Sequence, residues 1–233
     1  MTISRLRLTA VAGFAGFFVA MAVATMLQPE QYSSVRDFIS GLAAVDAAHP
    51  EVMIAGFQAA AVAYLAIAIL AWRTLRSVPG RLTAFLLLVA AVAISVAGFA
   101  QFDCSLNLPS CTTGLDERMS WHSHLHGRAG TFVFFSTLVA SFTLALAVWR
   151  SRFRGRARLG ATVLAFAIVQ LALTVAMNLQ LLGWTGVYQR LDVALMQGLP
   201  LLVVSGLRPF DAALPEPLSG RDRVTGVAAT SLN

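Results

Sequence analysis

The sequence predicts an all-α, polytopic transmembrane helix bundle of about six helices, with the N and C termini cytoplasmic. Three observations predict this class: few charged residues, long uncharged runs of helical length, and an uneven distribution of arginine. Of the 233 residues, 58% are hydrophobic and 12% are charged, which is about half of the charged fraction of a soluble domain. We therefore expect one transmembrane domain over residues 1–207 and a disordered cytoplasmic tail over residues 208–233.

The apolar runs place the helices in chain order. Five runs have the roughly 20 residues that cross about 30 Å of hydrocarbon. They cover residues 8–27, 52–72, 82–102, 129–149 and 159–182. A sixth run, 191–207, is shorter and contains Asp192, Gln197 and Pro200. Pro200 is expected to kink this helix unless a neighbouring helix satisfies the freed carbonyl.

The first run admits a second interpretation. Basic residues precede it, and Ala22-Val23-Ala24 resembles the cleavage site of a signal peptide. Its twenty or so apolar residues exceed the usual core of such a peptide, which favours a retained helix.

The arginines predict the orientation. All seventeen basic residues are arginine, and thirteen of them lie in the N-terminal segment, the two short loops and the tail, against four in the alternate segments. Cytoplasmic loops are enriched in basic residues, so this split places both termini inside a bacterial plasma membrane. The basic patches then indicate contacts with anionic membrane lipids, and we expect no nucleic acid partner.

Short polar motifs gather in the segments predicted to lie outside. They are Asp37-Phe38-Ile39-Ser40-Gly41-Leu42, Phe102-Asp103-Cys104, His126-Gly127 and Gly186-x-x-Gln189-Arg190. Their order resembles the bacterial domain-of-unknown-function family 998 over about residues 10–207. The resemblance implies a six-helix bundle with no established activity. The positions that match the family are Asp37, Ser40, Asp103, His126, Gln189 and Arg190.

The two cysteines are predicted to face an oxidising compartment. Cys104 and Cys111 are separated by a short loop, and a disulfide is the favoured interpretation. One alternative is that the cysteines bind a metal ion together with the nearby histidines. The other is that they remain free thiols.

Three histidines alternate before the fourth helix, at His122, His124 and His126. In an extended segment their side chains would share one side, whereas in a helix only His122 and His126 would share a face. With Asp103 they form a candidate metal set, and zinc is a candidate cofactor that the sequence does not favour. The His122–His126 spacing is similar to that of membrane hydrolases of the alkaline ceramidase and adiponectin-receptor type, which carry the pair on their last helix. A solvated segment that caps the fourth helix is the alternative.

Four polar residues at helix ends form the candidate catalytic set: Ser40, Asp103, His126 and Arg190. An unpaired polar group in a water-poor region costs free energy, so these helix ends are expected to converge, with Asp103 pairing with Arg190. Such a pair could be a structural clamp between helices. Asp103 could instead serve as a metal ligand or general base.

The fifth helix carries Gln170, Thr174 and Asn178 at intervals of four. This polar stripe predicts either hydrogen bonds to neighbouring helices or the lining of a polar cavity.

Two functions fit these features. One is a membrane-embedded, metal-dependent hydrolase acting on a lipid or lipid-linked substrate. The other is a non-catalytic accessory protein that binds lipid or a membrane partner. A transporter is disfavoured because no helix is predicted to carry a charge near its middle and no matching pair of broken helices is evident.

Overall fold

The computed structural model of the chain describes residues 1–104, 111, 119–151 and 155–206. Within these residues there are six long α-helices and no strand, so the all-α prediction is confirmed. The helices are α1 (Ile3–Met26), α2 (Pro50–Thr74), α3 (Val78–Phe99), α4 (Trp121–Arg150), α5 (Arg156–Asn178) and α6 (Thr185–Gly206). Short 3₁₀ turns lie at Ile39–Ala43 and Leu181–Gly183. The predicted tail, 208–233, lies outside the described residues.

Five of the six helices, α1 to α5, are long and apolar enough to cross a membrane, as expected for a multi-pass membrane protein. Helix α6 has 22 residues, which is also sufficient length, but polar residues make it less apolar than the others. The cytoplasmic placement of the termini stays a prediction.

All six helices begin earlier than the apolar runs suggested, and the difference is largest for α4 and α6. Helix α4 begins at Trp121 because the Ser120 hydroxyl accepts a hydrogen bond from the Ser123 N–H at 3.3 Å, which is a standard helix cap. Helix α6 begins at Thr185 and continues through Pro200. Hydropathy identifies only the apolar part of each helix, so their polar first turns were predicted as loop.

Small residues let neighbouring helices approach closely. A Cβ atom added to Gly13 in α1 would lie 2.5 Å from the Ala59 carbonyl oxygen in α2, and one added to Gly98 in α3 would lie 2.9 Å from the Phe57 side chain. Packing without large side chains is typical of helix contacts in membranes. Helix α6 returns to contact α1, α2 and α4, which closes the bundle.

One end of the bundle, here called the loop end, brings together the segments predicted to lie outside. The Val45 N–H donates to the Phe102 carbonyl at 2.9 Å, which links the loop after α1 to the end of α3. The Gly186 N–H donates to the Val35 carbonyl at 3.0 Å, which links the same loop to the start of α6. The three predicted outer segments therefore share one end of the molecule.

Candidate functional site

Arg190 fastens the first loop to α6. Its Nη1 donates to the carbonyls of Ser34 and Asp37, both at 2.9 Å, and to that of Gly186 at 3.0 Å. Its Nη2 donates to the Tyr32 hydroxyl at 2.5 Å. The predicted pairing of Asp103 with Arg190 is therefore wrong, because backbone carbonyls of the first loop satisfy the guanidinium. We call these contacts the arginine clasp.

Gly186 and Tyr32, which both contact Arg190, are closely packed in the arginine clasp. A Cβ atom on Gly186 would lie 2.5 Å from the carbonyl oxygens of both Ser34 and Asp37, so only glycine fits there. Burial raises the pKa of Tyr32 above its ordinary value, although the nearby Arg190 charge opposes that shift.

Gln189 holds the 3₁₀ turn that carries Ser40. Its Oε1 accepts a hydrogen bond from the buried Ile39 N–H. Gln189 and Arg190, two adjacent residues of the family-like motif, therefore position the first loop from the start of α6. Ser40 is the next residue of that turn and is half-buried.

Asp103 connects the end of α3 to the start of α4. Its carboxylate accepts hydrogen bonds from the Ser120 hydroxyl at 2.6 Å and the Ser120 N–H at 2.8 Å. Its own N–H donates to the Ser123 hydroxyl at 2.7 Å. Partial burial alone would raise the pKa of Asp103, but the hydrogen bonds from Ser120 and Ser123 and the nearby His122 together lower it below its ordinary value.

The histidines follow the helical alternative of the prediction. His122 and His126 lie on one face of α4, whereas His124 is exposed on another. His122 Nδ1 is 2.7 Å from the Gln101 carbonyl, and His126 Nδ1 is 2.7 Å from the Ala100 carbonyl. Since a carbonyl only accepts, each Nδ1 carries a proton.

The candidate metal set does not come together. His122 Nε2 is 3.4 Å from Asp103 Oδ1, but His126 contacts the Ala100 carbonyl and His124 is exposed. Within the described ranges no group of three or more His, Cys, Asp and Glu side chains is placed to hold a metal ion. A zinc site needs at least three protein ligands around one point, so these residues do not fit one.

The cysteine prediction is confirmed. The sulfurs of Cys104 and Cys111 lie at bonding distance as a disulfide, with their α-carbons 5.8 Å apart. Cys111 is buried, at 4% exposed. The disulfide therefore closes a short loop directly after Asp103.

A cavity of about 540 Å³ lies inside the bundle, below the loop end. Most of its wall is apolar and comes from all six helices, including Phe17, Phe57, Ile94, Val133, Phe134, Met177 and Met196. Its few polar lining residues are Ser40, His126, Thr131, Thr174, Asn178, Gln189 and Gln197. Of the predicted catalytic set, Ser40 and His126 line this cavity, and Asp103 and Arg190 do not.

The exposed residues of the cavity lining lie on α4 and α5. They are Gly127, Thr131 and Phe135 of α4 and Asn178 of α5, all of them exposed on the outer surface of the bundle. The Phe135 side chain is 63% exposed, as expected for a side chain that faces lipid. The opening therefore lies on the helix surface, beside the hydrocarbon, and not only at the loop end.

A carboxyl group lies in the bundle interior beside the cavity. Asp192 is fully buried in α6, and its Oδ2 accepts a hydrogen bond from the Thr174 hydroxyl of α5 at 2.5 Å, whereas its Oδ1 has no partner among the described residues. The sequence places Asp192 at the start of the sixth apolar run, whereas in the structure this helix already begins at Thr185, so Asp192 lies well inside it. An acidic residue therefore lies inside the bundle, in the first half of α6.

The polar stripe of α5 serves both predicted purposes. Gln170 accepts a hydrogen bond from the Ser141 hydroxyl of α4 at 2.9 Å, which joins two helices. Thr174 and Asn178 line the cavity. The signal that could have revealed α6 as the opposite wall was the spacing of Gln189, Val193, Met196 and Gln197, which lie on one helical face.

A family model described as "Protein of unknown function (DUF998)" matches residues 11–206. No curated protein and no solved structure matches the chain.

Proposed function

Because the chain belongs to the DUF998 family, whose description assigns no activity, we propose from the cavity that it binds an amphipathic, lipid-like molecule within the membrane. The observation that carries the proposal is the cavity of about 540 Å³, apolar over most of its wall and open between two membrane-spanning helices. Ligand pockets have volumes of about 300–1,000 Å³ and combine apolar walls with a few polar groups.

The arrangement of polar groups favours an amphipathic ligand over a purely apolar one. Ser40, His126 and Gln189 lie at the side of the cavity nearest the loop end, where lipid headgroups are expected. Aromatic and aliphatic side chains form the walls below them. A headgroup can hydrogen-bond at the loop end while the apolar chain occupies the cavity.

The gap between α4 and α5 provides an entry route from the bilayer. Gly127 and Gly130 of α4 line the cavity, and a Cβ atom added to either would meet nothing within 4 Å. These glycines are therefore not required by helix packing. They leave open the space through which a lipid chain can enter.

The test compares two glycine substitutions. Gly130→Leu adds a side chain into the cavity. Gly198→Leu is the control: a Cβ atom at Gly198 also meets nothing within 4 Å, but this residue of α6 does not line the cavity. Both proteins are purified in mild detergent, and bound lipids are extracted and quantified by mass spectrometry. We expect a co-purified lipid in the wild type and in Gly198→Leu, and its loss in Gly130→Leu. Equal lipid in all three proteins, or none in the wild type, would contradict binding in this cavity.

Hydrolysis of the bound molecule is a second candidate function. One observation favours it: Ser40 and His126 line the same cavity. With its proton on Nδ1 the neutral His126 ring has an unprotonated Nε2, which can accept a proton from a hydroxyl. A hydrolase would release fatty acid from an ester lipid, and Ser40→Ala would abolish the release while His124→Gln, at an exposed position, would not. Bound lipid that is returned unchanged would eliminate this second function and leave the first.

A further inference from the structure

We infer that the ligand has a second polar group, a hydroxyl or amide-like group, which binds to Gln197 at the inner end of the cavity. This inference rests on the proposed function and deepens it. It narrows the ligand from amphipathic molecules in general to apolar molecules that carry a polar group near each end.

Gln197 is the residue that points to this ligand. Its side chain lines the cavity and is 1% exposed. Neither Nε2 nor Oε1 of its amide has a hydrogen-bond partner in the part of the chain that the structure describes. A buried amide without partners costs free energy, which is why such groups are nearly always paired in folded proteins.

The position of Gln197 sets the spacing of the ligand's polar groups. Gln189 marks the loop end of the cavity, where it accepts the hydrogen bond from Ile39. Gln189 and Gln197 both belong to α6, and the helix rises about 12 Å between them at about 1.5 Å per residue. The cavity residues between them on this face, Val193 and Met196, are apolar.

The amide of Gln197 limits which chemical groups of the ligand can bind to it. The Nε2 donates and the Oε1 accepts, so a hydroxyl can satisfy either atom and an amide-like group can satisfy both. The terminal methyl of an ordinary acyl chain can satisfy neither. A molecule with polar groups about 12 Å apart along an apolar body would satisfy both ends of the cavity at once.

The experiment compares decanol with α,ω-decanediol, which share one chain and differ only in the second terminal hydroxyl. Dissociation constants are taken from the dependence of the unfolding midpoint of detergent-purified protein on probe concentration. We expect the diol to bind about two- to tenfold more tightly than decanol, the range that one added hydrogen bond provides. Equal binding of the two probes to the wild type would overturn the inference.

Two variants control for the different partitioning of the probes into detergent. Gln197→Leu should remove the preference for the diol while it retains binding of decanol, and it should fold because it removes a buried unpaired amide. Met196→Leu, at a neighbouring buried lining position, should keep the preference. A preference that persists in Gln197→Leu would overturn the inference but leave the proposed function intact. No binding of either probe to the wild type would overturn both.

Discussion

The loop end and the cavity wall both contain polar residues, but they differ in how these residues are satisfied. At the loop end Arg190 makes four hydrogen bonds and the Asp103 carboxylate accepts two. In the cavity wall Gln197 has both amide atoms unpaired among the described residues. Groups that already form several hydrogen bonds within the protein hold the backbone in place and have less capacity left for a ligand. The most conspicuous charges at the loop end are therefore structural, and we assign binding to the interior amide.

The largest effect is expected from breaking the arginine clasp. Arg190→Ala removes the donor of four hydrogen bonds and leaves two carbonyls of the first loop, one carbonyl of α6 and the Tyr32 hydroxyl without it. Hydrogen bonds to charged groups contribute about 1.5–3 kcal/mol each, and they are not additive. We expect a loss of at least about 3 kcal/mol in the free energy of unfolding, measured by thermal or denaturant unfolding in detergent.

Two further substitutions sharpen that result. Arg190→Lys keeps the charge but not the forked donor geometry, so it should restore only part of the stability. Arg128→Ala removes an exposed arginine of α4 and should change stability little. If Arg190→Ala unfolds no more readily than Arg128→Ala, the clasp is not a structural element.

A smaller effect is expected from Gly186→Ala. The added Cβ atom would lie 2.5 Å from two carbonyl oxygens that Arg190 also contacts, so the loop must move. Such overpacking costs about 1–3 kcal/mol. The matched change is Gly127→Ala, whose Cβ meets nothing within 4 Å and which should be neutral or stabilising by up to about 1 kcal/mol. Unfolding midpoints of the two variants, measured side by side, check the difference, and equal midpoints would contradict the predicted crowding.

The smallest effect is expected from Asp103→Asn, whose effect on the free energy of unfolding should depend on pH. The pKa of Asp103 is lowered in the folded protein, so its stabilising contribution is fully present above the ordinary value of about 3.9 and is lost as the pH falls through the lowered value. We expect the wild type to be more stable than Asp103→Asn at neutral pH. That difference should shrink as the pH drops below about 3.9. The side chain is one-third exposed, so the difference is expected to be modest.

Unfolding of both proteins across the acid range measures this directly. A difference between them that grows as the pH falls would have the wrong sign for a carboxylate with a lowered pKa.

The sequence predicted the six helices, the shared end of the three outer segments and the Cys104–Cys111 disulfide, because apolar length and cysteine spacing are local signals. It did not predict the partners of Asp103 and Arg190. Opposite charges at helix ends suggested an ion pair, whereas the structure satisfies both groups with backbone and serine partners whose positions depend on loop geometry. The depth of Asp192 in its helix was missed for a related reason, since the polar first turns of α6 concealed where that helix begins.

Ser40 and His126 were identified as members of a shared site, and both line the cavity. Gln197 was noted only as a polar residue in the sixth run. Its importance comes from the apolar wall around it and from the absence of a partner among the described residues, neither of which is visible in a single sequence. Three-dimensional packing decides which polar residue is satisfied.

The gap between α4 and α5 has a consequence for selectivity. A ligand that enters from the bilayer leaves one hydrocarbon environment for another, and lipid tails are as apolar as the side chains of the cavity wall. Its acyl chain therefore gains little of the transfer free energy, about 0.8 kcal/mol for each methylene, that would accompany entry from water. The occupancy of the cavity then depends on the mole fraction of the ligand in the membrane, and discrimination among the many resident lipids must come from shape and from a few hydrogen bonds. In such a site the hydrogen bonds of one amide can contribute more to selectivity than the apolar side chains of the wall.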